Sequence, residues 1–204
     1  MQTDKITSIR KWLGTGSINI FGLPMSGKDT VGTRLASILG AQFLSSGTIL
    51  RAHSDITDTG VLTPTDKFYD IILPYLANPT LTTKPLVLSS IGRWGDEKLI
   101  IMETLKKANH PLRAVILLDI TEDEVWSRWE TAKTLDDRGN RNDDRDINAL
   151  KTRITEFRTK TYPDTVTYYQ QLGLLIHVPA AAPRDQVFNS VLEKLYNFQV
   201  ANHH

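Results

Sequence analysis

The stretch Gly22-Leu-Pro-Met-Ser-Gly-Lys-Asp-Thr30 lies between two contrasting segments of the chain. The apolar run Ile18 to Phe21 comes directly before it, and a helix-like segment from Thr30 to Leu39, closed by Gly40, comes directly after it. A strand that runs into a glycine-rich turn and then a helix aligns backbone N–H groups and the positive end of the helix dipole on one anion. The order of segments therefore predicts a phosphate-binding loop, with a nucleotide as its ligand.

Individual residues of this loop suit phosphate for different reasons. Gly22 and Gly27 allow backbone angles and a close approach that a Cβ would hinder, and Lys28 adds a mobile charge for the outer phosphates. Asp29 stands where the usual pattern has Ser or Thr for Mg²⁺, so Thr30, one place later, is expected to supply the hydroxyl. The alternative interpretation is an ordinary glycine-containing turn from a strand to a helix, with a surface lysine.

Composition limits the classes of protein that this chain can represent. Its 204 residues, 40% of them apolar, predict one globular domain over residues 1–204. The 24 basic and 23 acidic residues give no overall field for nucleic acid, which favours a small substrate. The absence of cysteine excludes disulfides and thiolate metal sites, and no apolar run has the length of a signal peptide core or a membrane span. We expect a cytoplasmic monomer without a nucleic-acid or membrane partner.

Apolar runs and helical spacings alternate along the chain. The runs are Ile18 to Phe21, Leu86 to Leu88, Ala114 to Leu118, Leu174 to Val178 and a weaker one at Ala41 to Leu44. Because they are continuous rather than alternating, both faces of each strand should be covered, as in a parallel sheet between helices. The helical patterns are Val31, Leu35 and Leu39; Phe68, Ile71, Ile72 and Tyr75; Leu99, Met102 and Leu105; Ile147, Leu150, Ile154 and Phe157; and Val187, Val191 and Leu195. The chain is therefore predicted to be a three-layer α/β domain with five parallel strands.

One segment, Lys133 to Asp146, is rich in charge and poor in apolar residues. It carries Arg138, Arg141 and Arg145 among Asp and Asn residues. This composition predicts a flexible, solvent-exposed loop.

The order of motifs resembles that of the adenylate kinase group of nucleoside monophosphate kinases, over most of the chain. The first stretch resembles the group's GxPGxGKGT, with Met25 and Asp29 in place of glycines. The segment Ser45 to Arg51 is similar to STGDMLR, whose arginine holds the monophosphate acceptor. The segment Leu86 to Arg93 lies where the group has a strand followed by DGFPR, and Arg93 matches its arginine.

Further matches follow in the same order. Gly60 to Pro64 resembles the turn in the acceptor-binding arm, and Arg128 resembles the arginine that flanks the donor nucleotide. Arg141 to Asp144 resembles RxDD at the lid hinge, with Arg138 as an alternative arginine, and Arg153 to Phe157 resembles the start of RLxxYxxxTxP. Each arginine alone could also be a solvated surface charge. The resemblance to the kinase group therefore depends on the matches occurring in the same order along the chain.

The resemblance implies a three-layer P-loop NTPase fold with an acceptor arm at about residues 46–78 and a short lid at about 131–143. It implies transfer of the γ-phosphoryl group of ATP to a nucleoside monophosphate, with AMP as the leading acceptor and Mg²⁺ as cofactor. The residues implied to contact ATP are Gly22, Ser26, Gly27, Lys28, Asp29, Thr30 and Arg128, and Thr30 is implied to hold Mg²⁺ through water. The residues implied to contact the acceptor are Ser46, Gly47, Arg51, Arg93 and Glu97. The implied catalytic residues are Lys28, Arg93, Arg141 and Arg153. Arginine suits two polyanions held end to end, because its planar fork grips phosphate oxygens bidentately and keeps its charge.

Two residues depart from the pattern at positions that matter for chemistry. Ser89 stands where the group has an aspartate near hydrated Mg²⁺, and one hypothesis is that Asp29 restores the missing carboxylate. The alternative is that Asp29 only starts a helix, where an acid is favoured. Glu97 stands where the group has the glutamine that reads adenine; an ionised glutamate only accepts, which suits guanine N–H groups or a cytosine amino group better. Glu97 has the same alternative, as an acid in the first turn of a helix.

Two rival functions remain open at this stage. Met25, Asp29 and Ser89 together are compatible with a nucleotide-binding pseudokinase without turnover. The phosphate-binding loop alone is also compatible with a kinase of another small molecule, such as a shikimate-like or gluconate-like acceptor.

Overall fold

A parallel sheet forms the centre of the fold. The computed structural model of the chain describes residues 2–53, 60–134 and 146–202. Within them the strands are β1 Ser17–Gly22, β2 Gln42–Ser45, β3 Leu86–Ser89, β4 Leu112–Asp119 and β5 Leu175–Pro179. Their order is β2-β3-β1-β4-β5, and every neighbouring pair is parallel. The prediction of an α/β fold with five parallel strands is confirmed.

Helices connect the strands and cover both faces of the sheet. They are α1 Gln2–Leu13, α2 Lys28–Leu39, α3 Ser46–Arg51, α4 Thr65–Leu76, α5 Glu97–Lys107, α6 Glu122–Thr134, α7 Ile147–Glu156, α8 Thr167–Gln171 and α9 Arg184–Ala201. A short 3₁₀ turn, Pro79–Leu81, precedes β3, and a π-helical segment, Phe157–Val166, joins α7 to α8. None of these helices combines the length and apolar character needed to cross a lipid bilayer.

The central strand β1 explains the continuous apolar runs of the sequence. All six of its residues are buried, because helices lie against both of its faces and strands pair with both of its edges. Its side chains alternate between two cores, as the two-residue period of a strand requires. Ile18 and Ile20 join the core formed with α1, α2 and α9, whereas Phe21 joins Tyr169 on the opposite face.

On this opposite face of the sheet, a further hydrophobic cluster includes residues of the predicted acceptor arm. Leu86 and Leu88 of β3 contact a cluster that includes Phe68 and Ile72 of α4 and Ile101 of α5. This cluster attaches the arm to the sheet beside the loop that follows β3. The predicted arm, about residues 46–78, therefore contains α3 and α4, and residues 54–59 lie outside the described part of the chain.

Two features differ from the expectations drawn from periodicity. Helix α1 was not predicted, although Ile9 and Leu13 on one of its faces are fully buried. In α5 the pattern was assigned to the wrong residue, since Leu99 is 45% exposed while Ile101 is fully buried. Because several consecutive residues of α5 are apolar, more than one face of the helix has apolar spacing. The spacing alone could therefore not identify which face is buried.

The predicted lid and charged loop lie only partly within the described chain. Residues 131–134 continue α6, and Asp146 caps α7 by accepting a hydrogen bond of 2.8 Å from the Asn148 N–H. Residues 135–145 lie outside the described residues. The predictions for Arg138, Arg141 and Arg145 therefore remain predictions.

Candidate functional site

The predicted phosphate-binding loop joins the end of β1 to the start of α2 at the carboxyl edge of the sheet. A Cβ added to Gly22 would lie 2.4 Å from the Leu118 carbonyl oxygen and 2.7 Å from Ser26 Oγ, so no larger residue fits there without displacing backbone. Gly27, with φ of 89°, adopts the left-handed conformation and begins the helix. Both glycines are thus required by the close turn that aims the helix N-terminus into the loop.

Met25 occupies a position where the kinase motif has a glycine. Its φ of 64° lies in the left-handed region, which costs a residue with a Cβ about 1–3 kcal/mol. The side chain is buried. Replacing glycine by methionine has therefore not prevented the loop from adopting a turn that glycine forms without strain.

The Lys28 ammonium group lies within the loop. Its Nζ donates hydrogen bonds to the carbonyl oxygens of Gly22 at 2.9 Å and Leu23 at 2.8 Å, and it lies 3.5 Å from Ser26 Oγ. A positive charge is thus held in the hollow of the turn, where the helix dipole of α2 also favours an anion.

Asp29 joins the loop to the ends of two neighbouring strands. Ser89 Oγ, at the end of β3, donates a hydrogen bond of 2.7 Å to Asp29 Oδ1. Ser45 Oγ, at the end of β2, lies 3.4 Å from both carboxylate oxygens of Asp29. Asp29 and Ser89, which both depart from the kinase motif, are therefore in direct contact.

Asn19 is a site-positioning residue that the sequence interpretation missed. It lies in the middle of β1, and its Nδ2 donates a hydrogen bond of 2.7 Å to the Ile91 carbonyl oxygen, while its Oδ1 accepts from the Ile91 N–H at 3.4 Å. The pair fixes the loop after β3, which carries Arg93. A polar residue inside an otherwise apolar central strand was the signal that could have identified it.

The structure brings three of the predicted phosphate-binding arginines together. Burial lowers the pKa of the Arg93 guanidinium, and the positive charges of Arg153 and Arg51 lower it further, whereas Glu97 and Glu156 raise it. These residues come from α3, the loop after β3, α5 and α7. Such a concentration of guanidinium groups favours an anionic ligand.

The two carboxylates in this region have other partners as well. Glu156 Oε2 lies 2.8 Å from Lys160 Nζ. Glu97 Oε2 accepts a hydrogen bond of 2.8 Å from the Arg93 N–H, and its Oε1 accepts from Thr65 Oγ1 at 3.3 Å. The cluster thus combines three arginines and Lys160 with two carboxylates. Because the basic groups outnumber the acidic ones, a phosphate would be attracted to it.

Glu97 links the acceptor arm to the arginine loop. The side chain is 2% exposed, and burial raises its pKa, while the hydrogen bond from the Arg93 backbone opposes that rise. Burial is also the main cause that raises the pKa of the nearby Tyr69 hydroxyl, and the charges of Glu97, Asp96 and Asp66 add to it. The space between α4 and the start of α5 is therefore acidic and rich in hydrogen-bond acceptors.

The start of α3 carries the remaining predicted acceptor contacts. Ser45 caps this helix by accepting from the Thr48 N–H at 3.5 Å, and Ser46 is buried. A Cβ added to Gly47 would lie 3.0 Å from Arg51 Nη1, so the guanidinium group lies over the glycine backbone. Gly47 thus lies beside Arg51, and the assignment of Ser46 and Gly47 to the acceptor remains a prediction.

On the other side of the loop lies a cavity of about 450 Å³, within the size range of small-molecule sites. Its walls include Ser26, Gly27 and Thr30 of the phosphate-binding segment and the chain that follows β5. Arg128 also lines it, and its guanidinium donates to the carbonyl oxygens of Met25 at 3.1 Å and of the segment 180–181. Arg128 therefore ties the phosphate-binding loop to the opposite wall of the cavity.

The oxygen donors at this edge of the sheet fit Mg²⁺. Carboxylate and hydroxyl oxygens are hard ligands that suit this ion, which is usually held by one or two carboxylates together with substrate phosphates and water. Asp29, Ser89 and Thr30 would supply such donors. Within the described ranges, no group of three or more His, Cys, Asp or Glu side chains is arranged to hold a metal ion.

Curated proteins named adenylate kinase are similar to the chain over most of its length. The protein from Agrobacterium fabrum is 30% identical over 189 residues, covering 85% of this chain and 95% of that protein. Those from Thermus thermophilus and Chlamydia caviae are 28% and 26% identical, covering 86% and 85% of this chain and 95% and 94% of those proteins. No protein-family model matches the chain.

Among solved structures, a gluconokinase from Sinorhizobium meliloti 1021 has a similar fold. The TM-score is 0.60 at 19% sequence identity, and the alignment covers 92% of this chain and 95% of that one. At this identity the likeness supports the P-loop kinase fold alone.

Proposed function

We propose that this chain, which belongs to the adenylate kinase family, transfers the γ-phosphoryl group of ATP to a nucleoside monophosphate, with AMP as the acceptor. The observation that carries the proposal is the convergence of two anion sites at one edge of the sheet. The loop around Lys28 is one of them. The cluster of Arg51, Arg93 and Arg153 is the other.

The donor is assigned to the loop and the cavity beside it. Ser26 and Gly27 belong both to the loop and to the cavity wall, so phosphates in the loop would continue into a nucleoside in the cavity. Mg²⁺, when bound, would neutralise the charge of the donor phosphates. Arg128 and Thr30 complete the proposed donor site.

The acceptor is assigned to the arginine side. Arg51 and Arg93 would hold the acceptor phosphate in bidentate contacts, and Arg153 would meet the transferred group. Gly47 lies beside Arg51, and Ser46, which precedes it in α3, is assigned to the acceptor with it. Because phosphoryl transfer depends mainly on positioning and charge stabilisation, no nucleophilic side chain is needed.

Assays with ATP, Mg²⁺ and each of AMP, GMP, CMP and UMP test the proposal. We expect ADP formation that depends on a monophosphate, with the highest kcat/KM for AMP. Binding of ATP without ADP formation with any monophosphate would instead support a pseudokinase. ADP formation only with a non-nucleotide acceptor would assign the arginine cluster to another substrate.

Replacing Glu97 with glutamine should increase the preference for AMP over GMP by at least about fivefold, the lower end of the 1–3 kcal/mol that a matched bidentate base contact provides. Glutamine can accept from the adenine amino group and donate to N1, whereas an ionised glutamate only accepts. The variant should fold, because an amide can keep contacts with the Arg93 N–H and Thr65. Burial raises the pKa of Glu97, so ionisation opposes folding above that pKa, and the neutral amide avoids this cost.

Competition between AMP and GMP for limiting ATP measures this ratio directly. Glu103→Gln is the matched control, since Glu103 is an exposed acid of α5 that pairs with Lys107. An unchanged ratio in the Glu97 variant would show that Glu97 holds the loop of Arg93 without contacting the base.

A further inference from the structure

Arg34 lies on α2, one helical turn beyond the phosphate-binding loop. It follows Thr30 by four residues, so the two side chains share one face of the helix, and both line the cavity of about 450 Å³ beside the loop. With a rise of about 1.5 Å per residue, Arg34 lies about 6 Å further along α2 than Thr30. Because the donor phosphates are assigned to the loop at the start of α2, Arg34 borders the part of the cavity that is assigned to the nucleoside.

The guanidinium group of Arg34 is held by two residues of α9. Its Cζ lies over the ring of Phe188, 4.0 Å from the ring centroid, which is a cation–π contact. Its Nη1 donates a hydrogen bond of 2.5 Å to Asp185 Oδ1. The ring, which is buried, supports one face of the guanidinium, and the carboxylate holds one edge. The position of the group is therefore set before a ligand enters the cavity.

This arrangement leaves the second face of the guanidinium accessible. The Arg34 side chain is 46% exposed, although Phe188 lies against it. Next to it the cavity wall contains small and branched apolar residues, namely Val31, Val187 and the alanines at 180–182.

The chemistry of an open guanidinium face indicates its ligand. A planar group with a delocalised charge, set among apolar residues, suits the flat face of a nucleobase. A phosphate is instead bound through the N–H groups at the edge of a guanidinium, and Asp185 already accepts at that edge of Arg34. The geometry therefore favours a base over a phosphate at this position.

We propose that Arg34, supported by the Phe188 ring, stacks on the base of the nucleoside triphosphate donor. The inference deepens the proposed function, and it rests on that function only in assigning a nucleoside triphosphate to the loop and the cavity. Arg34 is assigned to the ligand, and Phe188 is a positioning residue.

The affinity for Mg·ATP, compared with that for the Mg²⁺ complex of inorganic triphosphate, isolates the contribution of the base and its ribose. We expect Arg34→Ala to lower the affinity for Mg·ATP by about tenfold, within the range for stacking of one base. Its affinity for inorganic triphosphate should change by less than about twofold, because the charge of an exposed side chain is screened. Titration calorimetry measures both. Equal losses for the two ligands would assign Arg34 to the phosphates, and an unchanged affinity for Mg·ATP would leave it only as a cover for Phe188; either result would overturn the proposal.

Replacing Arg34 with lysine separates stacking from charge. Lysine keeps the positive charge and can pair with Asp185, but it has no planar group. We expect the loss in affinity for Mg·ATP to be close to that of Arg34→Ala. A lysine variant with wild-type affinity for Mg·ATP would contradict the stacking role.

GTP provides an independent readout. Because every base has a π-face, stacking tolerates different bases, and Arg34→Ala should lower the affinities for Mg·GTP and Mg·ATP by similar factors. A loss for only one of them would indicate a hydrogen bond to the edge of the base and would contradict stacking. Arg158→Ala removes an exposed arginine that pairs with Glu122, and this charge-matched control should keep the wild-type affinities. Thermal unfolding checks that each variant is folded.

These outcomes separate the stacking role from the proposed function. If the wild type binds Mg·ATP but forms no ADP with any monophosphate, the proposed function fails, while a tenfold loss in Arg34→Ala still supports stacking. If the wild type phosphorylates monophosphates and Arg34→Ala keeps its full affinity for Mg·ATP, only the stacking role fails.

Discussion

Replacing Lys28 with methionine is expected to lower kcat/KM for ATP by about 10²- to 10³-fold, the usual effect of removing one charge-stabilising donor. The Lys28 ammonium lies in the hollow of the loop, with carbonyl oxygens of Gly22 and Leu23 at 2.9 and 2.8 Å. Phosphate oxygens, which carry full negative charge, would compete for this group more strongly than neutral carbonyls do. Methionine has a similar length and no charge, so the variant removes the charge with little change in shape.

The loss must be separated from unfolding. Methionine leaves the two carbonyl oxygens without this donor, which should lower the free energy of unfolding by about 1 kcal/mol, far less than the expected kinetic effect. Thermal unfolding of the variant measures that part. Lys107→Met, on the exposed side of α5, is the control and should keep wild-type kinetics. A Lys28 variant that keeps a third of the wild-type kcat/KM would contradict the assignment of phosphate to the loop.

The sheet was predictable because parallel strands that are buried on both faces appear in the sequence as continuous apolar runs. Each of the apolar runs became a strand, and β1 is buried at all six positions. Helix α1 was missed although Ile9 and Leu13 lie on one face, because charged residues such as Arg10 and Lys11 surround them in the sequence and obscure the apolar spacing. The pattern of apolar residues therefore predicted the strands, which are buried on both faces. It failed for helix α1, which contacts the rest of the domain along one face only.

The site was predictable only in part, for a different physical reason. The order of arginines along the chain predicted that Arg51, Arg93 and Arg153 belong to one site, and the charges of Arg51 and Arg153 are among the causes that lower the pKa of Arg93. The contact between Asp29 and Ser89 depends on how the first turn of α2 is placed against the end of β3, sixty residues away. A linear motif carries no information about that placement, so the sequence could only offer it as a hypothesis.

Replacing Arg93 with lysine is expected to lower kcat/KM for the acceptor by about 10²-fold at neutral pH and to make the remaining activity fall as the pH rises. Lysine cannot form the bidentate contact that a guanidinium makes with phosphate. Burial and the charges of Arg153 and Arg51, which lower the pKa of Arg93, would also lower the pKa of a lysine there, while Glu97 and Glu156 would oppose this change. Because a lysine starts from about 10.4 rather than above 12, it loses its proton at a lower pH than arginine, which stays charged.

The sign of the pH effect follows from which form binds phosphate. Only the protonated amine attracts the acceptor, so kcat/KM of the variant should decline as the pH rises through the lowered pKa of this lysine, below its ordinary value of about 10.4. The wild type should show no such decline from this residue. A pH–rate profile with saturating Mg·ATP and low AMP measures it, and Arg158→Lys, which alters an arginine paired with Glu122 at 2.6 Å, is the control. A flat profile with wild-type kcat/KM would place Arg93 outside the acceptor site.

Binding of the acceptor to the arginine cluster should also increase the thermal stability of the protein. A phosphate placed among Arg51, Arg93 and Arg153 would be attracted by all three guanidinium groups. AMP should therefore raise the midpoint of thermal unfolding of the wild type, because a ligand of the folded state alone stabilises it. In Arg93→Lys that rise should shrink with increasing pH in parallel with kcat/KM, since both depend on one proton. A rise that is independent of pH in this variant would show that the acceptor phosphate does not contact residue 93.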